Sequence, residues 1–297
     1  MNKVVNQQSV TFPIVQEKRK RLTVKGIRKL VVECIGVLLA LVVFGIPFYF
    51  VIINAVKNTQ ESSMLNMAWP SSFHLKENMT AVVQAQDGMI IRAFFNSISI
   101  TGFSIILLII LGAMAGYVLQ RKTSKASPFF NFLVLAGLII PPAVVPTIWV
   151  LDGIGLFKTM PGIILVEVAL NIPFTVLLYK GFMATIPRQI DEAALIDGCG
   201  RFRLFFSIIL PLLKPVSATV IVLTAVGIYN DFVNPLYFFP GSENATLQLT
   251  LYNFSSMYNT QWNLLFTNIL LISLPPLILF IFFNKKIVAG MTAGSVK

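Results

Sequence analysis

Long apolar runs alternate with short polar stretches along the chain, and the runs are too long for the core helices of a water-soluble domain. Stretches near the ~20 residues that cross a hydrocarbon layer fall at Leu30–Val56, Phe94–Leu119, Phe129–Leu151, Pro161–Met183, Ser207–Tyr229 and Leu264–Phe283. The pattern predicts an all-α membrane protein, a polytopic bundle of six transmembrane helices. Six crossings put both termini on one side. Pro47, Pro141, Pro142, Pro146, Pro173, Pro211, Pro215, Pro275 and Pro276 fall inside or at the edges of these runs, and each interior proline removes a backbone hydrogen bond and invites a kink. Gly112 and Gly116 form a small-xxx-small pair in the second run, which suits close helix packing.

Composition agrees, since 56% of residues are hydrophobic and 12% charged. The net charge of +11 raises nucleic acid as a partner, but the basic residues form no single patch with interleaved aromatics, so nucleic acid is not expected. Their distribution instead sets the topology. Nineteen of the 23 Lys and Arg lie in the amino tail, the loop 120–128, the connector 180–214 and the carboxyl tail; the other loops hold Lys57, Lys76, Arg92 and Lys158. By the positive-inside rule both termini and the connector are cytoplasmic, and the first run, preceded by 29 residues, reads as an uncleaved anchor. The sequence divides into a basic amino tail (1–29), a six-span domain (30–283) with a polar connector loop at about 184–206, and a carboxyl tail (284–297). The basic tail "KRKRLTVKGIRKL" serves topology, or lies on anionic headgroups.

The connector "EAALIDGCGRFRLFFSIILPLLKP" (Glu192–Pro215) carries more polar residues than a link between two helices needs. Pro187 can open a helix, and Asp191 and Glu192 follow early enough to favour its positive end. Ile186, Ile190, Ala193 and Ala194 recur at helical spacing as one apolar stripe. The helix is expected to stop at Asp197-Gly198, because glycine tolerates the left-handed conformation that ends helices, and a second begins near Gly200. The small alanines leave a flat face that another protein could approach. An amphipathic helix resting on the bilayer is the competing reading, against which stand the acids beside the stripe.

The order Glu192, Ala193, Ala194, Gly198, Ile208, Leu210, Pro211 resembles the EAA motif of permease subunits of bacterial ABC importers. The flanks "IPRQIDEAALIDGCG" and "ILPLLKP" are similar to the carbohydrate-uptake branch, and the tail "NKKIVAGMTAGSVK" to that of MalG-type permeases. The resemblance covers about Asn96 to Lys297. Positions 199–200 are Cys-Gly where many relatives have Ala-Ser.

This resemblance implies a multi-pass subunit of the bacterial cytoplasmic membrane, working with a second, MalF-like permease, an ABC ATPase dimer and an extracytoplasmic solute-binding protein. It implies that Glu192 meets basic residues of the ATPase, that Ala193 and Ala194 form the close-packing face, and that Asp197 and Gly198 belong to the turn. The tail, with Gly290, Thr292 and Gly294, is implied to reach between the ATPase subunits. The loop 230–263, rich in aromatics and Asn and free of Lys and Arg, is implied to contact the binding protein, although aromatics at that depth are also interfacial anchors.

The chain has no G-x-x-x-x-G-K-[ST] phosphate loop, so ATP and Mg are expected on partner ATPase subunits, with no cofactor or metal on this chain. An ion-coupled secondary transporter is the alternative. For it the spans offer chiefly Glu33, near a boundary, and Glu167, which with Asn171 on the same helical face could line a polar path or make an interhelical hydrogen bond. An enzyme is not expected. His74 is the only histidine and lacks ligand-spaced company, and no G-x-S-x-G or H-E-x-x-H occurs. Cys34 and Cys199 read as small packing residues in a reducing compartment. Trp149, Tyr229 and Tyr237 are aromatic candidates for stacking on a sugar, or for packing and anchoring.

Overall fold

The computed structural model describes residues 24–122, 124–254 and 260–293, with the backbone alone described at 24–27, 29, 253 and 283–293. The chain divides into two units, residues 1–49 and 50–297. The first contains α1 (Val24–Ala40), a π turn (Leu41–Gly45) and the start of α2 (Ile46–Ala55). Its apolar side chains stand exposed, Leu38 by 66% and Phe44 by 65%, a surface suited to hydrocarbon rather than water. Together with the rest of α2 it makes one apolar run of 26 residues, Leu30–Ala55.

The second unit continues with α3 (Thr59–Ser63), α4 (Leu75–Arg121), α5 (Ser127–Ile139), α6 (Val144–Gly153), α7 (Met160–Met183) and α8 (Gln189–Ile196). Then come α9 (Arg201–Arg203), a π turn (Leu204–Ile209), α10 (Leu210–Leu212), α11 (Lys214–Tyr229), α12 (Val233–Phe238), a 3₁₀ turn (Leu249–Phe254) and α13 (Trp262–Ala293). The described residues contain no β-strand. The long helix α4 lies along α7, and α11 and α13 pack against α4 and each other.

Among the described residues four helical stretches are long and apolar enough to cross a membrane, or up to six if each of two bent pairs is one span. The bent pairs account for the third and fifth expected spans. The third breaks between Ile139 and Val144 and turns by 119°, where Pro141 and Pro142 can give no backbone N–H and restrict the residue before them. The fifth turns by 73° at Leu213, between Arg201–Leu212 and Lys214–Tyr229. Each π turn stands just ahead of a proline, Pro47 or Pro211, whose missing N–H disturbs the i→i−4 ladder. By contrast Pro173, Pro275 and Pro276 lie within single continuous helices.

α4 is two helices joined across a kink, and the one that carries the second span begins just after Gly88, ahead of the apolar run at Phe94. The backbone leaves helical geometry at Ala85–Gly88, where Gln86, Asp87 and Gly88 all have positive φ. The loop between α2 and α4 is also more ordered than its length suggests. Lys57, counted above as a loop charge, is 1% exposed and donates to Asn66 Oδ1 at 2.8 Å and Asn66 O at 2.9 Å. Asn78 donates to the Ala55 and Lys57 carbonyls, and Asn263 donates to Asn78. The end of α2, the loop after it, α4 and α13 thus share one hydrogen-bonded layer, which satisfies backbone groups buried away from water.

Candidate functional site: the polar connector

After α7 ends at Met183, the chain turns through Pro187 into the eight-residue helix α8. Its end is a paired backbone lock: Gly198 N–H reaches the Leu195 carbonyl at 3.1 Å and Cys199 N–H the Ala194 carbonyl at 3.0 Å. That is the 5→2 and 6→1 pattern of a Schellman ending. It requires a left-handed residue after Asp197, and Gly198 has φ +75°. The second helical stretch begins at Arg201, close to the expected Gly200.

The helix has two unlike faces. Inward, Asp191 and Ala194 are buried and Ile190 half-buried, with Ala194 in a cluster that includes Tyr179, Met183, Leu204, Phe205 and Leu213. Outward stand Glu192, Ala193, Leu195 (53% exposed), Ile196 (85%) and Asp197, with Phe202 (77%) following the turn. The two alanines therefore do not share one outer face. Residues one apart lie about 100° around a helix, so Ala194 packs inside this chain while Ala193 faces out. The outer apolar residues are Leu195 and Ile196, which sequence reasoning passed over.

Asp191 is more than a helix-start acid. The guanidinium of Arg121, in the last turn of α4, meets Asp191 Oδ2 at 2.9 Å, and both side chains are 12% exposed. Arg121 also donates to the Ile186 carbonyl at 2.9 Å and to that of Pro187 at 3.4 Å. In the reverse direction Arg188 donates to the Gln120 carbonyl at 3.4 Å. Tyr117, one turn back on α4, packs on Phe205 with ring centroids 5.8 Å apart.

Glu167 lies far from this connector and is 2% exposed. Its Oε1 accepts from Asn234 Nδ2 of α12 at 3.1 Å, while Asn171 donates only to the Glu167 backbone carbonyl at 2.9 Å. Of the two expectations for Glu167, the interhelical hydrogen bond is thus present, with Asn234 of α12 as its partner. Tyr229 is buried and donates to the Ile272 carbonyl at 2.8 Å, whereas Trp149 and Tyr237 are exposed. In the loop 230–263, Phe232 stacks on Tyr252 with centroids 5.2 Å apart, beside a cavity of about 430 Å³ also lined by Gln248, Leu251, Leu265 and Ile269. Helix α13 carries Gly290 and Thr292 in its last turns, and Gly294 lies outside the described residues. Cys34 and Cys199 are free thiols. Among the described residues no three His, Cys, Asp or Glu side chains gather as a metal site.

Broken apolar spans around a tightly packed helix pair, with an ordered polar connector at one end, define a polytopic, all-helical membrane protein. Residues 108–292 match the family model described as "Binding-protein-dependent transport system inner membrane component". The chain belongs to this family and is a permease subunit of a binding-protein-dependent importer. It is 33% identical over 272 residues to the probable starch degradation products transport system permease protein AmyC of Thermoanaerobacterium thermosulfurigenes, covering 91% of this chain and 98% of that protein. It is 33% identical over 255 residues to the melibiose/raffinose/stachyose import permease protein MelC of Bacillus subtilis, covering 85% and 91%. Among solved structures, a chain of a bacterial ABC transporter involved in import of the polysaccharide alginate superposes with a TM-score of 0.73 at 17% identity, covering 88% of this chain and 96% of that one.

Proposed function

We propose that this chain is one of two unlike permeases in an ATP-driven sugar importer, and that α8 is the element that docks on a cytoplasmic ATPase subunit. The observation that carries this reading is the two-faced connector: its inner face is fixed by Asp191 and Ala194, while Glu192, Ala193, Leu195 and Ile196 face out. An exposed apolar patch beside an acid suits a protein groove with a basic rim better than water or anionic headgroups. Asp197 and Gly198 end the helix and so aim the patch.

In this reading both termini and α8 are cytoplasmic, as the placement of nineteen of 23 basic residues suggests. The division into a basic tail, a permease domain and a carboxyl tail follows the same topology. The ATPases bind ATP and Mg, and this chain, itself non-catalytic, converts their closure into re-packing of the spans. The 73° and 119° breaks are natural joints for such motion. The loop 230–263 faces the solute-binding protein, and the tail around Gly290, Thr292 and Gly294 meets the ATPase pair. Saccharide cargo is supported by the relatives named for starch products and for melibiose, raffinose and stachyose. The enclosed, hydrogen-bonded Glu167 gives little support to an ion-coupled path.

The test is purification from native membranes in mild detergent, followed by identification of the accompanying chains and uptake of a saccharide panel in proteoliposomes. An ATPase and a second permease in the preparation, with ATP-dependent uptake of one saccharide, are expected. A chain that arrives alone and transports without ATP would overturn the reading.

A further inference from the structure

We infer that Arg121 is the positioning residue through which displacement of α8 reaches the far end of α4. This rests on the reading that α8 docks on an ATPase. The connector meets the bundle at α7, which leads into it through residues 184–188 and whose Tyr179 and Met183 share a cluster with Ala194, and by two further routes. One is the covalent continuation through α9 and α10, which bends by 73° at Leu213 before α11. A joint of that kind transmits a pull poorly along its axis.

The other route is Arg121. Its guanidinium holds the Asp191 carboxylate of α8 and the Ile186 and Pro187 carbonyls just before that helix. Arg188 returns a bond to the Gln120 carbonyl. A single guanidinium nitrogen, Nη2, therefore meets both α8 and its lead-in. With both side chains 12% exposed, the Arg121–Asp191 ion pair is less screened than one at the open surface.

From Arg121 the helix runs back without interruption to Asn96 and Ser97, a span of roughly 37 Å at about 1.5 Å per residue. There Asn96 donates to the Glu243 and Ala245 carbonyls at 3.1 and 3.0 Å, and Ser97 Oγ accepts from Leu247 N–H at 2.9 Å. One helix thus fastens the connector at one end and the loop 243–247 at the other. Its contact with α7 is close at Gly112 and Gly116, where an added Cβ would meet Thr175 and Tyr179. A packed rigid element biased at both ends is the physical requirement for coupling distant sites.

The experiment uses the purified complex with its ATPase, with Cys34 and Cys199 replaced by serine and a spin label at Ser242→Cys. Label mobility is compared without nucleotide and with ATP plus vanadate. The expected result is a nucleotide-dependent change that Arg121→Ala abolishes while the ATPase stays bound and still hydrolyses ATP. The exchange Arg121→Asp with Asp191→Arg should restore part of the change. An Arg121→Ala complex with the full response would overturn the inference, as would loss of the response that the exchange leaves unrepaired. Failure of the docking reading shows differently, as a wild-type preparation without an ATPase, and it would take this inference with it.

Discussion

Gly116 of α4 meets Tyr179 of α7 so closely that a Cβ on the glycine would stand 2.6 Å from the tyrosine Cβ and 2.9 Å from the Lys180 backbone nitrogen. Without a hydrophobic driving force between helices in lipid, such backbone approach supplies the packing energy. Gly116→Val must therefore push the two helices apart, since neither obstacle is a flexible side-chain end. Overpacking of this kind costs about 1–3 kcal/mol. A lower thermal midpoint in detergent is expected. Gly102→Ala, on the same helix with nothing within 4 Å, should not lower the midpoint and should raise it slightly, alanine being the better helix former. A Gly116→Val midpoint equal to that of wild type would refute the packing account.

Gly198 has φ +75° with open space around it, so a side chain there meets strain rather than a clash. A β-branched residue in that conformation costs about 1–2 kcal/mol, and the Schellman bonds from Gly198 and Cys199 would be lost if the turn relaxed. Gly198→Val is expected to reduce the ATPase recovered with the purified protein while insertion into the membrane stays normal. Gly200→Ala, where φ is −67°, is the control and should copurify like wild type. Undiminished ATPase recovery with Gly198→Val would remove the turn from the docking site.

The connector turn was legible because its signals are local. Asp197-Gly198 and Pro187 bear on their own backbone, and the apolar runs of the spans are long enough to stand out. The break at Pro141-Pro142 was legible as an invitation to kink, but its 119° size depends on what α5 and α6 pack against. Pairs between distant residues were not legible. Arg121 and Asp191 stand seventy positions apart, and in sequence Arg121 is one of several basic residues at a span end. Glu167 and Asn234 are separated by 67 positions, so an interhelical hydrogen bond could be expected of Glu167 but its partner could not be named. The division between Ala193 and Ala194 failed for a subtler reason. Both fit an apolar stripe, and only the position of Leu204 and Phe205 decides which one faces inward.

Asn234→Leu should destabilise the chain more than Glu167→Gln. The first removes the side-chain donor to an enclosed carboxyl group, a loss worth about 1–3 kcal/mol. The second keeps an amide oxygen that can accept from Asn234. Replacing both together, with Glu167→Met and Asn234→Leu, removes the polar pair and should recover part of the loss. Thermal unfolding of the three variants checks the order. A Glu167→Gln midpoint as low as that of Asn234→Leu would show that the carboxylate itself is needed.

Glu192 is exposed on the outer face of α8, one helical turn before Ile196. Glu192→Lys should reduce ATP-dependent uptake in proteoliposomes without altering the chain's own melting. A single charge-assisted contact is worth about 1–3 kcal/mol, so weakened coupling rather than complete loss is expected. Ile196→Ser should add to the effect, because the apolar patch carries binding independently of the charge. Full uptake by Glu192→Lys would dismiss the charged contact.

Adjacent alanines offer the sharpest separation of docking from folding. Ala193 faces out and Ala194 is 7% exposed, within the cluster that contains Leu204 and Phe205. Leucine at 193 adds bulk only where a partner must approach, so Ala193→Leu should lower ATPase recovery while the isolated chain melts like wild type. Leucine at 194 must displace side chains already in contact, at about 1–3 kcal/mol, so Ala194→Leu should melt earlier even with no ATPase present. Measured on the chain alone and on the complex, the two variants should separate: one defective only in assembly, the other already defective alone. If Ala194→Leu melts normally yet fails to hold the ATPase, residue 194 belongs to the docking face and the inward packing of α8 is wrong. If Ala193→Leu holds the ATPase fully, the partner does not approach α8 from its outer face.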